Sequence, residues 1–403
     1  MPNDVTFEEI VAARERIASG VLKTPCSESP LLSELCGCRV FPKLEYLQRT
    51  GSFKERGARN ALLLLSEEQR RKGVTAASAG NHALALAYHG RDLGIPVTVV
   101  MPVFAPLVKQ MRAASFGARV LLHGSNIGEA KVRADELVVD EGLTYIHGFD
   151  GADVIAGQGT LGLEILEQVS DVDAIVVPIG GGGLIAGLGL AVKTLRPDTE
   201  IIGVEPENAA SYKAALEVGH PILTHMEPTL GDGLAVPTVG PRAFEIARKV
   251  VDRTVTVDEG RIALAILRLV ELEKGVVEGA GATPLAALMS SKLADLKGKK
   301  VVIVLCGGNI DPTVLGRVIE RGLVQGGRLA QFRAVISDRP GGLALLAETI
   351  ADTGASVQQI THERAFASAD VSKVEVTVVV ETRDNEHFAR LRKKLRERGI
   401  VVK

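Results

Sequence analysis

Short runs of β-branched and aliphatic residues recur along the first three quarters of the chain, separated by stretches in which apolar positions return with a helical period. The runs at 97–100, 174–177, 201–204 and 301–305 are apolar at successive positions, the pattern of parallel strands covered on both faces. Between such runs, 81–93 and 259–274 carry an amphipathic stripe and are long enough to serve as crossover helices. Thr6 and Glu9 have capping-box spacing and predict a helix opening at the amino end. The alternation predicts a doubly wound α/β fold whose right-handed crossovers bring glycine-rich loops to the carboxyl ends of the strands.

The pattern changes after Asp311. Residues 321–329 are glycine-rich and polar and predict a linker between domains. Beyond it the order is strand 331–336, an Asp-Arg-Pro-Gly-Gly turn at 338–342, helix to 353, strand 357–363, strand 374–380 and a charged helix 385–398. That is an α+β module over 330–403, following a core over 1–320.

Composition narrows the partners. With 47 basic and 49 acidic residues the net charge is −2, so the chain lacks the electrostatic footprint of a nucleic-acid or anionic-membrane binder, and a small polar ligand is expected. Aromatics make up 3% and Trp is absent, which leaves the core to Ala, Val, Leu and Ile. Neither a secretory leader nor a membrane-spanning stretch is read in the sequence, and the expected location is cytoplasmic. Cys26, Cys36, Cys38 and Cys306 are too few and too unevenly spaced for a disulfide framework, and Cys36-Gly-Cys38 is one residue short of the usual metal-binding turn, so no metal is predicted.

Three segments carry candidate chemistry. In Thr50-Gly-Ser-Phe-Lys-Glu-Arg-Gly57 a lysine stands beside an aromatic in a glycine-flanked turn before a helix expected at 58–65. A desolvated Lys54 is a carbonyl-trapping nucleophile; taken alone, the motif is equally a surface lysine. Ser78-Ala-Gly-Asn-His82 opens a helix after a short strand and turns backbone N–H groups toward an anion such as a carboxylate, or is simply a helix start. Gly180, Gly181, Gly182 and Gly183, followed by Leu184, lie between a strand and a helix, where contiguous glycines close the backbone around a phosphate. The spacing is neither that of a dinucleotide fold nor that of a P-loop. A phosphate site without nucleotide machinery, with a buried type of lysine, points to pyridoxal 5'-phosphate.

On these motifs the chain resembles the threonine/serine dehydratases of the fold type II, tryptophan-synthase-β-like pyridoxal-phosphate enzymes, over about residues 5–320. The resemblance implies a two-domain catalytic core, with a smaller domain inserted at about 50–150. It makes Lys54 the Schiff-base lysine, Phe53 the packing partner of the cofactor ring, Gly180 to Leu184 the phosphate loop and Asn81 the contact to the ring hydroxyl. Ser78, Ala79, Gly80, Asn81 and His82 become the substrate-carboxylate loop. Gly233 and Glu278 line the cofactor, Gln158 to Thr160 start a helix beneath the site, and Cys306 faces the ring nitrogen where many relatives have Ser.

The implied activity is elimination of water and ammonia from L-threonine, and from L-serine. Serine racemisation, β-replacement or a non-catalytic amino-acid sensor are the alternatives. Racemases of this type carry Ser where this chain has Ala79. Glu205 and Ala209 match a divalent-metal site of some relatives, but Ser211 replaces its Asp. Leu84 replaces a frequent Gln and Gly148 a frequent Pro, which bears on substrate preference. The module at 330–403 resembles an ACT domain, implying an amino-acid effector such as isoleucine or valine. Symmetric pairing makes a homo-oligomer, dimer or tetramer, the default.

Overall fold

The computed structural model describes residues 5–363 and 372–403, so Met1 to Asp4 lie outside the described residues. The chain divides into two compact units, 1–312 and 313–403.

The first unit contains two sheets among the described residues. A five-stranded sheet runs in the order Arg39–Lys43, Lys300–Val304, Ala174–Pro178, Glu200–Pro206, Arg253–Val257, parallel throughout. A four-stranded sheet, also parallel, runs Arg119–Leu122, Val97–Met101, Val74–Ala77, Thr144–Tyr145. The central strands are rich in β-branched residues and buried at every position, as strands sandwiched between helices must be. Helices Ala152–Gln168 and Gly183–Leu195 pack face to face, and glycines permit the approach: a Cβ on Gly187 would lie 2.3 Å from the Ile155 carbonyl oxygen. Ile155, Leu188, Ile175, Val177, Val302 and Val304 belong to one aliphatic core.

The expected strands are present with ends that differ by one or two residues, the run 301–305 pairing as Lys300–Val304. Thr6 and Glu9 form the capping box of helix Phe7–Ile17. Two boundaries differ. The helix expected at 58–65 spans Lys54–Leu63, because Phe53 and Lys54 already adopt its first turn. The stripe expected as one helix over 259–274 is α-helical over Glu259–Arg268 and widens into a π turn over Leu269–Glu273 before Lys274 takes φ 55°.

The second unit holds an antiparallel sheet in the order Ser356–Glu363, Lys373–Glu381, Leu329–Ser337, Val401–Val402, with helices Gly342–Ala351 and Asn385–Glu397. Phe332, Val376, Val378, Leu346 and Leu391 form its core. Residues 321–325, expected within a linker, continue helix Pro312–Gln325: its apolar positions Val318 and Gly322 are buried and hold it past the polar surface residues. Only a turn at 326–328 separates that helix from the next strand.

Candidate active site

The carboxyl ends of strands Val74–Ala77, Ala174–Pro178 and Lys300–Val304 lead to the wall of one cavity of about 680 Å³. Every predicted site residue lies on that wall: Phe53 and Lys54, Ser78 to His82, Gly180 to Leu184, Gly233, Glu278 and Cys306.

Main-chain bonds between distant segments hold the lysine in place. Ser52 forms an isolated bridge with Gly307, the Phe53 N–H donates to the Cys306 carbonyl at 3.0 Å, and the Glu278 N–H donates to the Gly307 carbonyl at 3.0 Å. Lys54 Nζ donates to the Gly148 carbonyl at 2.6 Å and stands 5.1 Å from the Phe53 ring centroid. Burial pushes the Lys54 ammonium down to about 8, against the pull of Cys306 and Glu278, so far more of it is free amine near neutral pH than of an ordinary lysine.

The glycine run is shaped as a cradle. Gly182 takes φ 89° as the cap of helix Gly183–Leu195. A Cβ on Gly181 would fall 2.3 Å from the Phe149 ring, and one on Gly183 would fall 2.2 Å from the Phe149 carbonyl oxygen. Among the described residues no protein group accepts from the N–H groups of Gly180 to Leu184. Free N–H donors at the positive end of a 13-residue helix suit a phosphate.

The second loop precedes helix Asn81–Leu93, where Ser78 Oγ accepts from the Gly80 N–H at 3.3 Å. Asn81 donates to Glu278 Oε1 at 2.7 Å and accepts from Asn309 Nδ2 at 2.8 Å. His82 Nε2 lies 3.0 Å from the Ile146 carbonyl, so that nitrogen carries the proton. Burial, reinforced by Lys54, pushes its imidazolium down to about 3 and keeps the ring neutral. Nδ1 of His82 is buried without a partner among the described residues. Glu278 is pushed up to about 7 by burial and then by Asp232, and burial drives the Cys306 thiol well above the usual range, so it stays S–H.

Some placements were not foreseen. Gln158 and Thr160 lie inside helix Ala152–Gln168, which begins six residues earlier than expected because Gly151 supplies its cap; neither side chain reaches the cavity wall. Asn309 ties Asn81 to the Thr50 carbonyl at 2.7 Å, and Arg112 donates to Asn309 at 2.5 Å. Asn309 stands in the Leu305-Cys-Gly-Gly-Asn-Ile310 motif already singled out, whereas nothing local distinguishes Arg112 or Lys109, which donates to Asp232 at 3.2 Å. Both oxygens of Glu205 accept backbone N–H groups, of Tyr212 at 2.7 Å and Lys213 at 2.9 Å.

A desolvated amine beside an open phosphate cradle and a second helix-start anion site define an enzyme that traps a phosphorylated carbonyl cofactor next to an amino-acid substrate. Comparison with known proteins agrees: residues 17–307 match the model of the pyridoxal-phosphate dependent enzymes, and the chain belongs to that family. Its cofactor is pyridoxal phosphate. It is 42% identical to the L-threonine ammonia-lyase of Thermotoga maritima over 99% of both chains. The processed form of threonine deaminase isoform 2 from Solanum lycopersicum is 36% identical with a TM-score of 0.75, covering 78% of this chain and 92% of its own. Serine racemase from Dictyostelium discoideum is 37% identical with a TM-score of 0.72, covering 76% of this chain and 99% of its own.

Proposed function

We propose that this enzyme converts L-threonine to 2-oxobutanoate and ammonia, and L-serine to pyruvate and ammonia. The observation that carries the reading is the convergence of Lys54, the glycine cradle and the 78–82 loop on one cavity. The names of the full-length relatives support the substrate.

Lys54 would hold the cofactor through its aldehyde, the N–H groups of Gly180 to Leu184 its phosphate, and Phe53, Asn81 and Cys306 its ring. Bound there, pyridoxal phosphate supplies an electron sink for the bonds at the substrate α-carbon. The 78–82 loop holds the substrate carboxylate on backbone N–H groups, and neutral His82 adds no charge to it. Lys54 Nζ, with its depressed proton affinity, takes the α-proton. Cys306 is a weak donor, which leaves the ring nitrogen largely unprotonated. Open space around Gly80 and van der Waals contact alone at Gly148, where an added Cβ would stand 3.6 Å from His82, admit the threonine methyl. That methyl is worth only about 1–3 kcal/mol of discrimination, so both substrates are turned over. Ala79 offers no hydroxyl for reprotonation on the opposite face, which argues against racemisation.

We assign the catalytic core to the first unit and read the α+β module at 330–403 as an ACT-like domain responding to an amino-acid effector, in a cytoplasmic homo-oligomer. The deciding experiment measures 2-oxo acid release from both substrates by purified protein, with the absorbance spectrum recorded throughout. A visible cofactor band with 2-oxobutanoate from threonine is expected. A band without product from either substrate overturns the assignment.

A further inference from the structure

We propose that Glu55 and His89 are a buried positioning pair that sets the direction of the Lys54 amine; this rests on the role given to Lys54 above. Glu55 follows Lys54 in the first turn of its helix and points about 100° away from it, into the protein. Its side chain and that of His89 are both 0% exposed, with Glu55 Oε2 3.1 Å from His89 Nε2. Its other oxygen accepts the Thr50 N–H, at the start of the turn that delivers Lys54.

His89 lies on helix Asn81–Leu93, whose amino end carries the carboxylate loop. Its Nδ1 is 3.1 Å from Arg59 Nη1, which also donates to Asp92 at 2.6 Å. A guanidinium only donates, so Nδ1 must accept and Nε2 must carry the proton that Glu55 accepts. One tautomer therefore satisfies the whole Asp92–Arg59–His89–Glu55 chain. Thr50 is held on its other side too, since its carbonyl accepts from Asn309, which also donates to Asn81. The helix bearing Lys54 is thus tied to the helix bearing the substrate loop by Glu55 to His89 and by Arg59 to His89 and Asp92, while Asn309 ties the Thr50 turn to Asn81. This buried hydrogen-bonded chain fixes the turn that delivers Lys54, and a small misplacement of a reacting amine lowers turnover steeply.

The test compares His89→Leu, Glu55→Gln and His89→Gln. Leucine removes the His89 partner of both Glu55 and Arg59, leaving Glu55 only the Thr50 N–H and Arg59 its bond to Asp92. In Glu55→Gln the amide can accept the Thr50 N–H only by turning its NH2 against the His89 N–H. Gln at 89 retains one donor and one acceptor. Lys54 reactivity is read in cofactor-free protein as the pH dependence of amine labelling, located by mass spectrometry; kcat and KM for L-threonine are read in holoenzyme, and folding by circular dichroism. His89→Leu and Glu55→Gln should each shift the Lys54 labelling midpoint and lower kcat about 10- to 100-fold, with KM within about threefold. His89→Gln should stay near wild type on both. Wild-type labelling and kcat in folded Glu55→Gln overturn the proposal, as does a folded His89→Gln as impaired as His89→Leu. If the wild type does not turn over threonine, the labelling midpoints still decide, so the two readings fail separately.

Discussion

Replacing Lys54 by Met removes the amine while keeping the length of the side chain, and the effect on stability can be worked from the structure. In the fold the ammonium is pushed from 10.5 down to about 8, chiefly by burial. Between those values the unfolded chain holds a proton that the folded chain has lost, so wild-type stability rises with pH across that window. Below about pH 8 the full penalty of a buried ammonium applies. The shift corresponds to about 3 kcal/mol, and losing the bond to the Gly148 carbonyl gives back about 1 kcal/mol. Cofactor-free Lys54→Met should therefore be about 2 kcal/mol more stable than cofactor-free wild type near neutral pH, and this advantage should vanish by about pH 10.5. Urea denaturation of both apoproteins, followed by circular dichroism at the two pH values, reads it directly. Equal midpoints near neutrality, or an advantage that persists at high pH, would refute a desolvated Lys54.

Gly183→Ala puts a Cβ 2.2 Å from the Phe149 carbonyl, so spectroscopic titration with pyridoxal phosphate should show affinity falling at least tenfold, about 1.4 kcal/mol. Glu278 is pushed up to about 7 in the fold, which favours its protonated form there; its stabilising share is full below pH 4.5 and lost as pH rises through about 7. Glu278→Gln should flatten the melting-temperature profile across that window. Arg56 is fully buried and pairs with Glu45 at 2.8 Å and Glu164 at 2.7 Å. Removing it in Arg56→Met leaves buried Glu45 without an ion-pair partner and Glu164 with Lys43 alone, and chemical denaturation should register a loss of about 3–5 kcal/mol.

The strands were legible because burial on both faces leaves no polar period to confuse, and the site was legible because phosphate and carboxylate anchors need glycines and helix starts that are contiguous in sequence. What stayed hidden is what distance in sequence conceals. Phe149 sets the shape of the glycine cradle from over thirty residues away. Arg112 reaches Asn309 across nearly two hundred residues, and an exposed helix such as Leu107–Ser115 gives no local sign of it. Residues 321–325 read as linker because of their glycine and polar content, whereas they continue a helix in which Val318 and Gly322 are buried.

Strand Lys300–Val304 fits between the first strand of its sheet, Arg39–Lys43, and Ala174–Pro178. During synthesis both neighbours leave the ribosome well before it, each with an open edge of main-chain donors and acceptors. At roughly 5–20 residues per second, the emerging first strand waits about 13–50 seconds for the segment that joins it to the others. Until that late insertion neither Cys306 nor the Gly307 bridge can reach the lysine turn, so the nascent chain has no finished seat for its cofactor. A polypeptide stopped short of residue 300 would be left with unpaired strand edges, a substrate for chaperones and proteases rather than a weaker enzyme.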